Sequence, residues 1–397
     1  MINPSANGWI EKFFNTYYSL NSSYSSNEQA FYCRTRATGF IYGHVIFLDV
    51  SEKLSTKDWT SEEISKVALL NTLHGIYQLT KKNDSSSDFI SCALNFYNEM
   101  HPKGFSFFQK ILPTESKATQ LEKIIDSRVQ TNDNIISKNF SHIITNALLF
   151  IDVLAFHHFL LHKELTKGYI QKLEETIVGI VAISLKIKSK KTQYDDLLIK
   201  LFEISIRYTK FSEIKITDIN AIDFSFLKTS FEKFYLLDLA SMAIWSDGKM
   251  ETAEFDFLNA LGKTFQIEKP FILDSLNEID DFIQQNKASI PYFNYSNPIK
   301  HFYDQASQNV ITLITRNKKR LQKELLESKD LVKLLALSTT RDLDKEEKKK
   351  VKKQLLDICK TVPSLTIFLL PGGSLLLPLL IKFIPHLFSS AFNANLD

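Results

Sequence analysis

Two sets of side chains in this sequence have the types and spacing for chemistry. The first is acidic: Asp238, Asp247, Glu251 and Glu254 fall on a helical run, an Asp247-Gly248 turn and the start of the next helix. Carboxylates gathered at a turn offer the hard oxygen ligands that a divalent cation takes. The plainer reading is structural, because Asp-Gly suits a helix–helix connection and acidic residues in a first turn answer the helix dipole. The alternating D-x-D-x-D-G ligands of an EF-hand are absent. The second set is basic: Lys345, Lys348, Lys349, Lys350, Lys352 and Lys353 crowd one helical run. Such lysines suit anionic headgroups, at roughly 1 kcal/mol each near a charged bilayer, or simply form a solvated face. His158 and His162, four residues apart, share a helix face and a metal-binding spacing. With no HExxH motif and no evident third ligand, ordinary packing is expected for them.

No enzyme is expected. The sequence contains no glycine-rich phosphate loop, no G-x-S-x-G elbow and no paired Cys/His arrangement. Its three cysteines, Cys33, Cys92 and Cys359, lie far apart and signal neither zinc nor a disulfide framework. A net charge of +3 is too small to imply nucleic acid by itself. No cofactor is expected apart from the divalent cation considered above.

The apolar stretch beyond the lysines gives them direction. Leu365 to Ile381 contains no charged residue, close to the lower limit of about 17 to 20 residues for a membrane helix. Pro363, Pro371, Pro378 and Pro385 punctuate this region, with Gly372-Gly373 beside the second and Lys382 after the third. Each proline removes an amide donor and clashes with the preceding turn, a break that membrane helices tolerate where neighbours satisfy the freed carbonyls. Beyond Phe388 only Asp397 is charged. The positive-inside rule then places the large N-terminal part in the cytoplasm. The alternative is a solvated helix followed by a buried helix of a core.

The pattern Leu343, Glu347, Asp357, Lys360, Val362-Pro363, Pro371, Leu376-Leu377-Pro378, Lys382, Pro385, Ser390 and Phe392 resembles the membrane segment of the leucine-zipper EF-hand transmembrane (LETM) family. The resemblance implies an inner-membrane segment tied to cation/proton exchange, leading into a helical domain similar to ribosome-binding modules. Two departures bear on it. Ser374 stands where the family usually has an acidic residue, and a membrane carboxylate is the natural group to bind and release a cation. The likeness also stops near Phe392, so the ribosome-binding-like domain is expected to be missing. LETM-related bacterial biofilm-associated proteins, which end with this segment, are the nearer resemblance.

A second resemblance covers roughly Leu227 to Gln285. The helix, Asp-Gly turn and acidic helix start look like the tellurite-resistance TerB-like domain, a small all-α module. The likeness implies that Asp238, Asp247, Glu251 and Glu254 contribute to metal association.

Composition sets the frame for both. With 44% hydrophobic and 23% charged residues, 11 Gly and 10 Pro in 397 residues, the chain favours helices over a turn-rich β fold. Apolar spacing predicts helices over Trp9 to Tyr17, Ser61 to Leu79, Phe89 to Met100, Gln120 to Val129, Ser141 to His162, Leu165 to Ile187, Thr192 to Thr209, Phe231 to Ile244 and Phe257 to Phe265. A long charged helix from about Pro298 to Leu326 and a short one through Leu337 come next, and Asp344 with Glu347 is placed to cap the lysine helix. Phe40 to Val50 reads as a strand or a short buried helix. Pro270 and the stretch from Asn286 to Pro298 read as a connection.

The expected fold is therefore all-α: a multi-helix bundle with a TerB-like helical subdomain and a C-terminal proline-broken apolar membrane-type helix. Its expected parts are 1–225, 226–340 and 341–397. Membrane lipid at the C-terminal segment, unidentified protein partners and a homo-oligomer are the expected associations, with no nucleic acid. Met1 to Leu20 lacks a secretory signal pattern. The expected location is the cytoplasmic side of a bacterial inner membrane, the alternative being the cytoplasm.

Overall fold

A computed structural model of the chain describes residues 2–16, 27–50, 54–100, 115–129, 148–188, 218–245, 251–286, 311–338, 341 and 344–359. All regular structure among them is helical. The helices expected over 141–147 and 192–209, the Asp247-Gly248 turn and the whole apolar stretch from Thr361 onward lie outside the described residues.

The first helix, α1 (Trp9–Thr16), buries Trp9, Ile10 and Phe13. This aromatic side thus docks on the protein. Its N-terminus is fixed from a distance: Glu122 accepts from the amides of Gly8 at 3.0 Å and Ile10 at 2.9 Å. A carboxylate there satisfies orphan donors and answers the positive end of the helix dipole. That carboxylate belongs to α5 (Lys117–Val129), against which α1 packs.

Between them lie α2 (Glu28–Ala37), α3 (Ser61–Lys81) and α4 (Ser86–Glu99). Thr60, one residue before the expected helix, caps α3 in a reciprocal box with Glu63. The strand-like run after α2 is neither strand nor α-helix but a single 3-10 turn, Phe40–Tyr42, followed by irregular chain. Gly39 and Gly43 explain it. Both adopt positive φ, 78° and 76°, which closes the turn at each end. A Cβ on Gly39 would collide with the His44 carbonyl and lie 2.8 Å from the Phe282 ring. The β-branched and aromatic residues of this run serve burial, with Phe40, Ile41 and Tyr42 all in the core.

Next come α6 (Phe150–His162) and α7 (Tyr169–Ile187). α6 is apolar on every side and almost wholly buried, its Asp152, His157 and His158 included. No described helix is long and apolar enough to cross a membrane.

α8 (Ser230–Ile244), α9 (Thr252–Phe265) and α10 (Lys269–Asn286) follow in chain order. α10 corrects the reading of Pro270 as part of a connection. Pro270 lies in the first turn, where a missing amide costs nothing because that amide has no partner within the helix. α9 and α10 meet closely at Gly262, where an added Cβ would strike Ile272. α8 is the central element, packed on α2, α7, α9 and α10, while α3 packs on α4, α5 and α6. α6 joins α7, and one continuous apolar core extends from Ile2 to Ile283, on both sides of residue 225.

A smaller unit comes last. α11 (Lys318–Glu327), α12 (Lys329–Ser338) and α13 (Lys345–Cys359) pack on one another around Leu321, Leu325, Leu331, Leu334, Val351 and Ile358. The long charged helix of the sequence reading is helical over 311–316, turns at Asn317 and resumes as α11.

Candidate functional site

The described members of the acidic set have separate roles. Asp238 faces inward on α8 at 0% exposure. Tyr32 donates to its Oδ2 at 2.6 Å, the Ser275 hydroxyl donates to its Oδ1, and the Arg36 guanidinium lies 3.4 Å away. Burial pushes its carboxyl above the usual range, against the pull of Arg36, Ser275 and Tyr32. The Arg36 guanidinium also stacks 5.2 Å from the Phe271 ring centre. Asp238 therefore ties α2, α8 and α10 together.

Glu254 is buried at 4% exposure and accepts from the Glu251 amide at 2.8 Å, as in a capping box at the start of α9. Glu251 and Glu254 thus act as helix-start residues in this structure, and Asp247 lies outside the described residues. Among the described residues no group of three or more His, Cys, Asp or Glu side chains is placed to hold a metal ion.

The histidine pair packs as expected. The His158 ring stacks on Tyr169 at 4.1 Å and lies 4.4 Å from the His162 ring, and its Nε2 is 2.9 Å from the Thr166 hydroxyl. Burial pulls its pKa down to about 4, with His162 contributing in the same direction.

Three further polar knots escaped the sequence reading. Arg128 on α5 pairs with Asp152 on α6, its Nε donating at 2.6 Å, and Tyr97 on α4 donates to the same carboxylate at 3.1 Å. Tyr169 on α7 donates to Glu232 on α8 at 2.6 Å. The third is Glu63, which collects donors from three parts of the chain. The Ser5 hydroxyl donates to Oε1, the Thr60 amide donates to Oε2 at 3.0 Å, and Arg316 grips both oxygens, with Nη1 to Oε2 at 2.7 Å. Burial opposes ionisation of Glu63, yet Arg316, Ser5 and Thr60 hold its carboxyl below the ordinary range. This bidentate pair couples the 311–316 helix, and through it the C-terminal unit, to the start of α3. Of these only Asp152 had a sequence signal, an acidic residue inside the apolar run "FIDVLAF", as Asp238 has in "LLDLAS"; the partners leave no local signal.

Between α2 and α3 a hollow of about 20 Å³ is lined by Phe31, Thr35, Asp49, Asn71 and Thr72. It has room for about one water molecule.

The basic set is where the geometry departs from core building. Lys345, Lys349, Lys350 and Lys353 are exposed on α13, while Val351 and Ile358 are buried on its opposite side. At about 100° per residue, Lys345, Lys349 and Lys353 form a stripe along one flank. Lys350 turns toward α12, where it pairs with Asp330 at 2.7 Å. The helix start is capped as the sequence implied: the Asp344 amide donates to Glu347 Oε2 at 3.0 Å, and the Glu347 amide donates to Asp344 Oδ1 at 2.8 Å. Arg341 adds a bidentate grip on Glu347 at 2.8 and 2.6 Å, which with the Asp344 amide pulls that carboxyl down to about 2. The membrane-motif residues Pro363, Pro371, Gly372, Gly373, Pro378, Lys382 and Pro385 lie outside the described residues, as do the side chains of Lys348 and Lys352.

Neither the curated proteins nor the solved structures contain a match to this chain. Residues 343–397 match the family described as LETM1-like, RBD. The sequence reading took this stretch for the family's membrane segment and expected the ribosome-binding-like domain to be missing; the match of the same residues to a family described as RBD corrects that expectation. The C-terminal stretch, from the cap of α13 onward, is LETM-related.

Proposed function

We propose that this chain is a non-catalytic, LETM-related protein held at a membrane by its C-terminal segment, with the helical body on the cytoplasmic side of a bacterial inner membrane. The observation that carries the reading is a coincidence in one place. The LETM1-like match begins where a capped basic helix begins, and the uncharged stretch Leu365 to Ile381 comes within six residues of that helix's end. A helix with lysines on its solvent side, ahead of an apolar run, meets the requirements of a juxtamembrane element. The body supplies surfaces for protein partners in envelope or biofilm-related processes. In it, the buried carboxylates Asp238, Asp152, Glu63 and Glu232 are engaged with cations, hydroxyls and helix amides rather than poised for catalysis.

Cells producing the full chain, and cells producing a chain stopped after Thr361, separate the alternatives. The full chain stays in membranes through carbonate and high-salt washes, and the shortened chain does not. Recovery of both in the supernatant overturns the anchor, leaving residues 361–397 as part of a core.

A further inference from the structure

We propose that α11 is a second lipid-facing helix, so that α11 and α13 together form a basic platform for the headgroups of an anionic phospholipid bilayer. The proposal rests on the membrane reading above and adds residues outside the family match.

Charge is segregated along this chain. Residues 316–360 carry fifteen basic and eight acidic side chains, net +7, which leaves −4 for the rest of a chain whose total is +3. Part of this excess lies on α11, where Lys319, Arg320 and Lys323 are exposed and Leu321 and Leu325 are buried. Lys323 has 77% of its side chain exposed and only a long 3.9 Å contact to Glu327. That geometry leaves its charge available to an anion.

The helices also present these charges side by side. α11 and α13 pack against each other. On α13 the Lys345, Lys349 and Lys353 stripe lies opposite the buried Val351 and Ile358, with Lys350 at its edge turned to α12 through its pair with Asp330. On α11, at about 100° per residue, Lys319 and Arg320 fall on opposite sides of the exposed arc with Lys323 between them. Glu327 shares this exposed arc, which with three basic side chains to one carboxylate is net basic. An anionic surface that spans these two packed helices meets basic side chains on both.

The residues around the charges favour lipid over single-stranded nucleic acid. From Asp304 to Ile367 the sequence contains no Phe, Tyr or Trp. Base stacking on aromatic rings is a main source of affinity for single strands, and this surface has none to offer. The apolar stretch after α13 also brings this unit to headgroup depth wherever that stretch enters lipid.

The test uses the full chain and its Lys319→Gln/Arg320→Gln/Lys323→Gln variant, floated with vesicles of phosphatidylcholine alone or mixed with phosphatidylglycerol. Glutamine keeps helix propensity, and circular dichroism checks folding. The variant is expected to lose on the order of a hundredfold in its preference for phosphatidylglycerol vesicles at low salt, with binding to phosphatidylcholine unchanged. A Lys319→Arg/Lys323→Arg chain keeps the preference. If the triple variant retains the parent's preference, the α11 proposal falls while the membrane anchor stands. If the parent floats with neither vesicle, the membrane reading fails and takes the proposal with it. If the substitutions abolish binding to duplex RNA and leave vesicle binding intact, the surface belongs to RNA and the proposal is overturned.

Discussion

Asp238 shows how an individual residue acquires its role here from partners far away in sequence. Its carboxylate is fully buried and held by Tyr32, Arg36 and Ser275. Removing one member of a buried, hydrogen-bonded ion pair strands the other, so Asp238→Ala is expected to cost about 3 to 5 kcal/mol. Urea unfolding of the full chain measures it, and a loss below about 1 kcal/mol would remove Asp238 from the framework of the fold. Glu62 gives the opposite case. Burial drives its pKa up to about 7, against the attraction of Lys66. A carboxyl whose pKa is raised by folding contributes stability below about pH 4.5, and that contribution drains away as pH rises through about 7. Glu62→Gln should therefore be more stable than the parent at pH 8, by up to about 3 kcal/mol, with the gap shrinking toward pH 4.5. Thermal melts at the two pH values check the sign, and an equal gap at both would contradict it.

Among the elements, the link between the 311–316 helix and α3 is the most consequential join. Glu63 receives Arg316 at both oxygens while also accepting from Ser5 and Thr60. Arg316→Gln leaves one buried carboxylate short of a charged donor, with an expected cost of about 2 to 3 kcal/mol. The loss should be local: amide hydrogen exchange speeds up in 311–316 and in the N-terminal residues near Ser5, and α8 keeps its protection. Uniform acceleration across the chain would show that the pair supports the whole fold rather than a join. Helix boundaries set by local chemistry were readable in advance, such as the Asp344–Glu347 cap of α13 and the apolar spacing of α3 to α8. α10 was missed because a proline in a first turn resembles a proline in a loop. The Phe40 run was misread because two positive-φ glycines decide its path while its side chains advertise a strand.

At the scale of the whole molecule, the all-α class came from composition, whereas the joins did not. Arg316 and Glu63 are 253 residues apart, and Tyr32 and Asp238 are 206 apart. No periodicity reports such pairings, because each partner taken alone looks like an ordinary helix residue. In the acidic set, Glu251 and Glu254 have the helix-start role that the plainer reading gave them, whereas the core ion pair of Asp238 left no local signal. The basic set was legible for the converse reason: lysines with no core role must face solvent or an anionic partner, and α13 exposes Lys345, Lys349, Lys350 and Lys353.

The central claim is that the apolar C-terminal stretch takes this body to a membrane, and one carboxylate placed within it tests that most directly. Leu376→Asp in the full chain puts a charge near the middle of the uncharged run, at about 2.5 to 3.5 kcal/mol for a helix at the bilayer centre. Measured as the ratio of carbonate-resistant to released protein, retention should fall on the order of a hundredfold relative to the parent. An unchanged ratio, or release of the parent itself, would contradict the account.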